Sequence, residues 1–136
     1  MRADEWAQEL AETLAHGWGG LATMTVAACA NAAASEVVIA TARKTVEAAG
    51  WDLYVIDARW TVGDPSLLQD AGYVILRDIR VPLREEVVVL IGAFQHLVQR
   101  SLPVGMLAVG SPAGIRALRR HPGMGFLSRA ESVIQD

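Results

Sequence analysis

The chain has 136 residues, is 52% hydrophobic and 20% charged, and carries a formal net charge of -3 at pH 7. A chain of that length buries about 68–70% of the surface its unfolded form exposes, so it needs no disulfide or metal to fold as one domain over residues 1–136. Twelve Lys and Arg against fifteen Asp and Glu do not indicate a nucleic-acid partner, and the single Cys29 excludes an internal disulfide framework or a multi-cysteine zinc site and points to a reducing cytoplasm.

Residues 4–15 predict a helix: Asp4 and Glu5 suit its first turn, Trp6, Leu10 and Leu14 recur at fourfold spacing, and Gly17 stops it. Gly17-Trp18-Gly19-Gly20 then predicts a loop. Residues 21–35 carry no charge, yet they are rich in Ala and Thr, and Asn31 and Glu36 interrupt the roughly 20 residues a membrane span needs. No span is expected, and no signal peptide, because Asp4, Glu5, Glu9 and Glu12 stand where a basic region would be. Residues 21–28 are ambiguous. Alanine favours helix, Thr23, Thr25 and Val26 permit a short buried strand, and propensity tips the reading to helix.

Residues 36–49 predict a helix closed by Gly50, and residues 51–58 a strand. Asp64-Pro65-Ser66 marks a turn, and residues 73–79 form a second apolar strand after Gly72. Pro82 opens the next helix, with Glu85 and Glu86 in its first turn and Leu83, Val87, Leu90, Ile91, Phe94, Leu97 and Val98 on one face. Residues 104–109 are a third strand. Ser111-Pro112 starts a helix that runs to Arg120 and stops at His121-Pro122-Gly123, leaving a short tail of helical character over 123–136. Strands alternating with helices imply an α/β fold of three layers, a parallel sheet flanked by helices.

Few residues advertise chemistry. His16, His96 and His121 have no metal-ligand spacing with each other or with Cys29, so no metal site is expected. Ser111 lacks the surroundings of a strand-to-helix nucleophile and reads as a helix cap. Glu85 and Glu86 suit a helix N-terminus, and Arg116, Arg119, Arg120 and His121 suit a solvated helix face. The tryptophans, Trp6, Trp18, Trp51 and Trp60, read as core and core-edge packing.

The most specific words come late. Leu102-Pro103-Val104-Gly105-Met106-Leu107-Ala108-Val109-Gly110-Ser111-Pro112, followed by Phe126-Leu127-Ser128-Arg129-Ala130-Glu131, resembles the sensor strand and arginine-bearing segment of bacterial AAA-type P-loop ATPases of the origin-recognition-like group. The likeness runs over residues 21–133. It implies a P-loop NTPase-like sheet, incomplete, with little room between Ser35 and Arg77 for a second helix and with the chain ending before a fifth strand and lid.

The resemblance places the phosphate loop, G-x-x-x-x-G-K-[ST], on residues 29–36, which makes Ala34, Ser35 and Glu36 the implied nucleotide-binding positions. None of the signature residues is there. It places the acidic pair of the second motif on Arg77-Asp78, with a cation in place of the first acid, and makes Asp78 and Arg129 the implied catalytic residues, Arg129 as a finger reaching a neighbour's nucleotide. Alanine resists the positive φ such a loop uses by about 1–2 kcal/mol per residue. Ser35 removes a phosphate-pairing cation and Glu36 adds an anion, and a unit charge at about 4 Å is worth about 4 kcal/mol at an effective dielectric of about 20.

The sequence therefore predicts a degenerate core that does not hydrolyse ATP and takes no cofactor, serving in the cytoplasm as a binding or assembly module for a protein partner or a second copy. An alternative is that ATP and magnesium still bind through a rearranged loop, with Asp78 handling the metal and Arg129 completing a partner's site. A third is an altered copy with no independent activity.

Overall fold

In the computed structural model, residues 1–16, 23–60, 64–68, 72–100, 102 and 104–136 are described. The glycine-rich loop expected at 17–20 lies outside them. The elements in chain order are α1 (Ala3–Ala15), β1 (Thr23–Cys29), α2 (Ala32–Ala48), β2 (Leu53–Asp57), β3 (Tyr73–Ile79), α3 (Glu85–Gln99), β4 (Gly105–Gly110), α4 (Pro112–Arg120) and β5 (Glu131–Gln135), with 3-10 segments at Pro65–Leu68 and Pro122–Arg129. The five strands form one parallel sheet in the order β2-β3-β4-β1-β5. The fold is α/β, a parallel sheet flanked by helices, as the alternation of elements predicts.

Helices α1 and α2 cover one face, packing Trp6, Leu10, Val38, Ala42 and Val46 against Ala27, Ile75, Leu107, Val109 and Val133. Helix α3 and the 3-10 segments cover the other, with Leu90, Ile91, Phe94, Leu68 and Leu127 against Val74, Leu76, Met106 and Ala108. Every residue of β4 is buried, as expected of a strand covered on both faces. The Trp6 indole N–H, 1% exposed, donates to Thr25 Oγ1 at 3.1 Å and ties α1 to β1.

Five expectations are corrected here. Residues 23–29 are a strand, because β1 lies between β4 and β5, where small side chains on both faces let the covering helices approach and tertiary burial overrides alanine's helix propensity. Pro82 does not open α3; it stands in the turn ahead, after a cis peptide bond from Val81, and the helix starts at Glu85, where two acids meet the positive end of its dipole. The tail is a 3-10 segment followed by a strand. That strand, β5, is the fifth strand the resemblance had implied to be missing. Trp60 is also no packing residue: it is 73% exposed, whereas Trp6 is buried. Gly50 closes α2 as anticipated, at φ +78, a conformation glycine adopts without strain. Among the described residues, no helix is long and apolar enough to cross a membrane.

Candidate functional site

Parallel crossovers bring the carboxyl ends of β1, β3 and β4 to one edge of the sheet, together with the N-terminal turns of α2 and α4. Ligands of open α/β sheets bind at this edge. A cleft of about 200 Å³ lies there, lined by residues 29–32, Ser35, residues 78–80, Gly110 and Ser111. A second cleft of about 240 Å³ adjoins it on the far side of the β3 end, shares Asp78, Ile79 and Arg80, and adds Ala58, Arg59, Pro82, Leu83, Arg84 and Val87.

The turn from β1 into α2 is short. Only Ala30 and Asn31 separate the two elements, and α2 begins at Ala32. Asn31 is its N-cap: the side-chain oxygen accepts from the Ala34 amide at 2.8 Å, and its carbonyl accepts from the Ser35 amide at 3.1 Å. Ala34, Ser35 and Glu36 thus lie in the first turns of α2, which begins at Ala32 rather than at the Glu36 expected. The Asn31 cap, three residues ahead of Ala34, draws the helix start toward the strand. Cys29, just before it, is buried, and burial pushes its thiol above the ordinary value against a smaller opposing effect of Ser35.

The turn from β4 into α4 is built the same way. Ser111 caps α4 by accepting from the Gly114 amide at 3.0 Å, and its own amide donates to the Ile79 carbonyl at 3.1 Å. Gly110 and Gly114 lie against that carbonyl so closely that a Cβ on either would collide with it. Both glycines are required by the approach of β3 to the α4 turn.

Charge fills the space between the two clefts. Arg77 forms an ion pair with Glu36, joining β3 to α2 across 41 residues of sequence, and its Nε donates to Asp78 at 2.9 Å. The hydrogen bond to Glu36 is the first cause holding the Arg77 guanidinium above its ordinary pKa. Asp78 also meets Arg80 at 3.5 Å and Arg59 at 3.8 Å, so three guanidinium groups converge on one carboxylate. Its backbone is left-handed, φ +62, at a bulge where the β3–β4 register shifts between Leu76 and Ile79. An aspartate held in that conformation carries strain, which persists only where the surroundings enforce it. Arg59 in turn grips Asp57 through Nε at 3.1 Å and Nη2 at 2.7 Å, and this hydrogen bond is the main reason Asp57 lies below the usual carboxylate range.

The residues implied by the resemblance are therefore only partly gathered. Ser35 and Asp78 share the first cleft, while Glu36 does not line it and is tied to Asp78 through Arg77. Arg129 does not join them. It ends the 3-10 segment just ahead of β5, whose first residue pairs with Thr25 near the start of β1, so it lies toward the amino edge of the sheet beside Met24, Phe94 and Phe126. Sequence reasoning missed Arg59 and Arg80; the one available signal was the spacing of Arg77, Arg80 and Arg84 around the strand end.

The cleft is smaller than the roughly 300–1,000 Å³ usual for small-molecule sites, the turn from β1 runs directly into a capped helix, and an ion pair joins α2 to β3. Among the described residues, no three His, Cys, Asp or Glu side chains converge as a metal-ligand set. No protein-family model matches the chain, and no curated protein matches it.

Proposed function

We propose that the chain is a core of AAA ATPase type that does not hydrolyse ATP and works in the cytoplasm as a binding or assembly module. The observation that carries this reading is the Glu36–Arg77 ion pair. In a working P-loop enzyme the helix after the first strand supplies a hydroxyl and the third strand a carboxylate, both directed to magnesium. Here an anion and a cation occupy those positions and satisfy each other. The strand order β2-β3-β4-β1-β5 and the cleft beyond β1, β3 and β4 support the placement of the motif.

Titrating Mg-ATP into the full chain by calorimetry is expected to give no saturable heat at micromolar ligand. Saturation there would favour the other reading, in which the amides of the α2 and α4 turns beside Arg80 hold a nucleotide in the first cleft. The combined variant Ser35→Lys, Glu36→Thr, Arg77→Asp and Asp78→Glu is expected to bind phosphate better than the parent, and no gain would mean that the motif has been put on the wrong residues.

A further inference from the structure

We propose that the chain associates head to tail with copies of itself, the carboxylates along α1 of one copy meeting the arginines along α4 of the next. This names the partner in the assembly reading and rests on it, while its test does not involve the cleft. The net charge of -3 conceals an uneven distribution. From residue 87 to residue 130 there is no Asp or Glu, and Arg100, Arg116, Arg119, Arg120 and Arg129 all fall in that stretch; the rest of the chain holds seven cations against fifteen acids. The stretch forms most of α3, β4, α4 and the second 3-10 segment, and because β4 is buried its charges lie on the helical layer of one face. Helix α1 lies on the opposite face.

Both helices carry like charges that repel within them. On α1, Glu5, Glu9 and Glu12 recur at spacings of four and three, all exposed, and the helix has no basic residue; Arg2 stands ahead of its first turn, and the neighbouring α2 carries both signs. Glu9 also raises the carboxyl of Glu131 on β5, second to the effect of burial. On α4, Arg116 and Arg120 are exposed four residues apart, with Arg119 beside them. The helix dipoles account for Glu5 in the first turn of α1 and for Arg119 and Arg120 in the last turn of α4, but not for Glu9, Glu12 or Arg116. Among the described residues, the side chains of Glu5, Glu9, Glu12, Arg116 and Arg120 enter no hydrogen bond or ion pair. Arg119 donates to the Leu127 carbonyl, and Glu85 at the start of α3 meets His121 at 3.9 Å rather than these arginines.

The two stripes lie on opposite faces of the sheet, so they cannot meet within one chain. Between chains they are complementary. Arg116 to Arg120 spans about 6 Å along α4 and fits within the roughly 10 Å from Glu5 to Glu12 along α1, and each guanidinium can take a carboxylate through two parallel N–H donors. A second copy suits the arginines better than a nucleic acid does: the chain as a whole is negative and repels a polyanion, whereas each copy brings the acidic counterpart with it. Because the contact joins two different surfaces, every copy keeps a free α1 at one end and a free α4 at the other, and the assembly extends to a ring or an open chain. Exposed ion pairs are individually weak and are screened by salt, so association is expected at low ionic strength and high concentration.

The test is sedimentation velocity of the full chain from about 5 to about 500 µM, in about 20 mM and about 300 mM NaCl. Species larger than the monomer are expected at high concentration in low salt and are expected to disperse in high salt. Reversing either stripe alone, by Glu9→Lys with Glu12→Lys or by Arg116→Glu with Arg120→Glu, is expected to weaken association at least about tenfold while the far-UV spectrum is kept. An equimolar mixture of the two variants is expected to restore it, since each then presents to the other what its own kind lacks; a loss of fold could not be rescued in this way. A parent chain monomeric in low salt at every concentration would overturn the pairing, as would a mixture of folded variants that stays monomeric. A labelled single strand of about 20 nucleotides, bound by the parent in about 300 mM NaCl and released by the arginine reversal, would overturn it in favour of nucleic acid. Saturable binding of Mg-ATP would contradict the proposed function while leaving the pairing untouched.

Discussion

Alanine at Gly92 and alanine at Gly114 are one chemical change made in two helices, and their surroundings give the changes opposite signs. Gly92 lies inside α3, where a Cβ would meet nothing within 4 Å. Restricting the backbone there is worth about 0.8–1 kcal/mol, the usual interior difference between glycine and alanine. Gly114, the third residue of α4, has at most the same gain to offer. Its Cβ would land on the Ile79 carbonyl oxygen, 2.8 Å from the carbonyl carbon and 3.0 Å from Arg80 Cα. These are backbone atoms, which cannot rotate away as a side chain does. The same oxygen accepts the Ser111 amide, so moving it also weakens the start of α4. Overpacking costs about 1–3 kcal/mol, here toward the upper end, and the strained hydrogen bond adds about 1 kcal/mol. Against a gain of about 1 kcal/mol, Gly114→Ala should destabilise by about 3 kcal/mol, lowering Tm by about 10 °C. Urea denaturation and thermal melting of both variants beside the parent measure the difference directly. If Gly114→Ala melts at or above the parent, the close approach of β3 to α4 that shapes the cleft is wrong.

Other substitutions probe other layers. Thr25→Val keeps the shape of β1 but leaves the buried Trp6 indole N–H without its acceptor, and should cost about 1–3 kcal/mol in urea; an unchanged midpoint would refute the bond's role. Asp57 titrates below its unfolded value, chiefly through the hydrogen bond from Arg59, so the stability it adds is present above about pH 4 and lost as pH falls through the folded value. Asp57→Asn should therefore flatten the acid limb of the stability curve measured between pH 2 and 6. Glu131 is shifted upward, first by burial and then by Glu9, which reverses the sign: its contribution is complete below about pH 4 and lost as pH rises through the folded value. Glu131→Gln should raise the urea midpoint at pH 7 and leave it unchanged at pH 3.

Much of the sheet can be read directly from the chain. The apolar runs at 73–79 and 104–109 read as buried strands, and Gly50 and Ser111 mark the end of α2 and the start of α4, whereas Pro82 misplaces the start of α3. β1 is harder, because Thr-Met-Thr-Val-Ala-Ala-Cys suits either period and only its place between β4 and β5 decides. β5 hides for a different reason. Glu-Ser-Val-Ile-Gln offers two apolar residues, and of these only Val133 is buried, as befits an edge. At the candidate site, the departures at Glu36 and Arg77 are visible as oddities of a motif. That they cancel each other is invisible until the topology brings residues 41 apart in sequence to one place. The convergence of Arg59 and Arg80 on Asp78 is hardly more legible: the spacing of Arg77, Arg80 and Arg84 hints at a basic strand end, but the meeting depends on a left-handed residue at a bulge.

The bridge between α2 and β3 also restricts the order in which this region can change. An acid introduced at position 77 alone would stand between Glu36 and Asp78 as a third neighbouring carboxylate, with the cation that had reconciled them gone. A neutral residue at position 36 alone would leave Arg77 to crowd Asp78, which already receives two other guanidinium groups. The effect of changing either position therefore depends on what stands at the other, so the two positions are coupled.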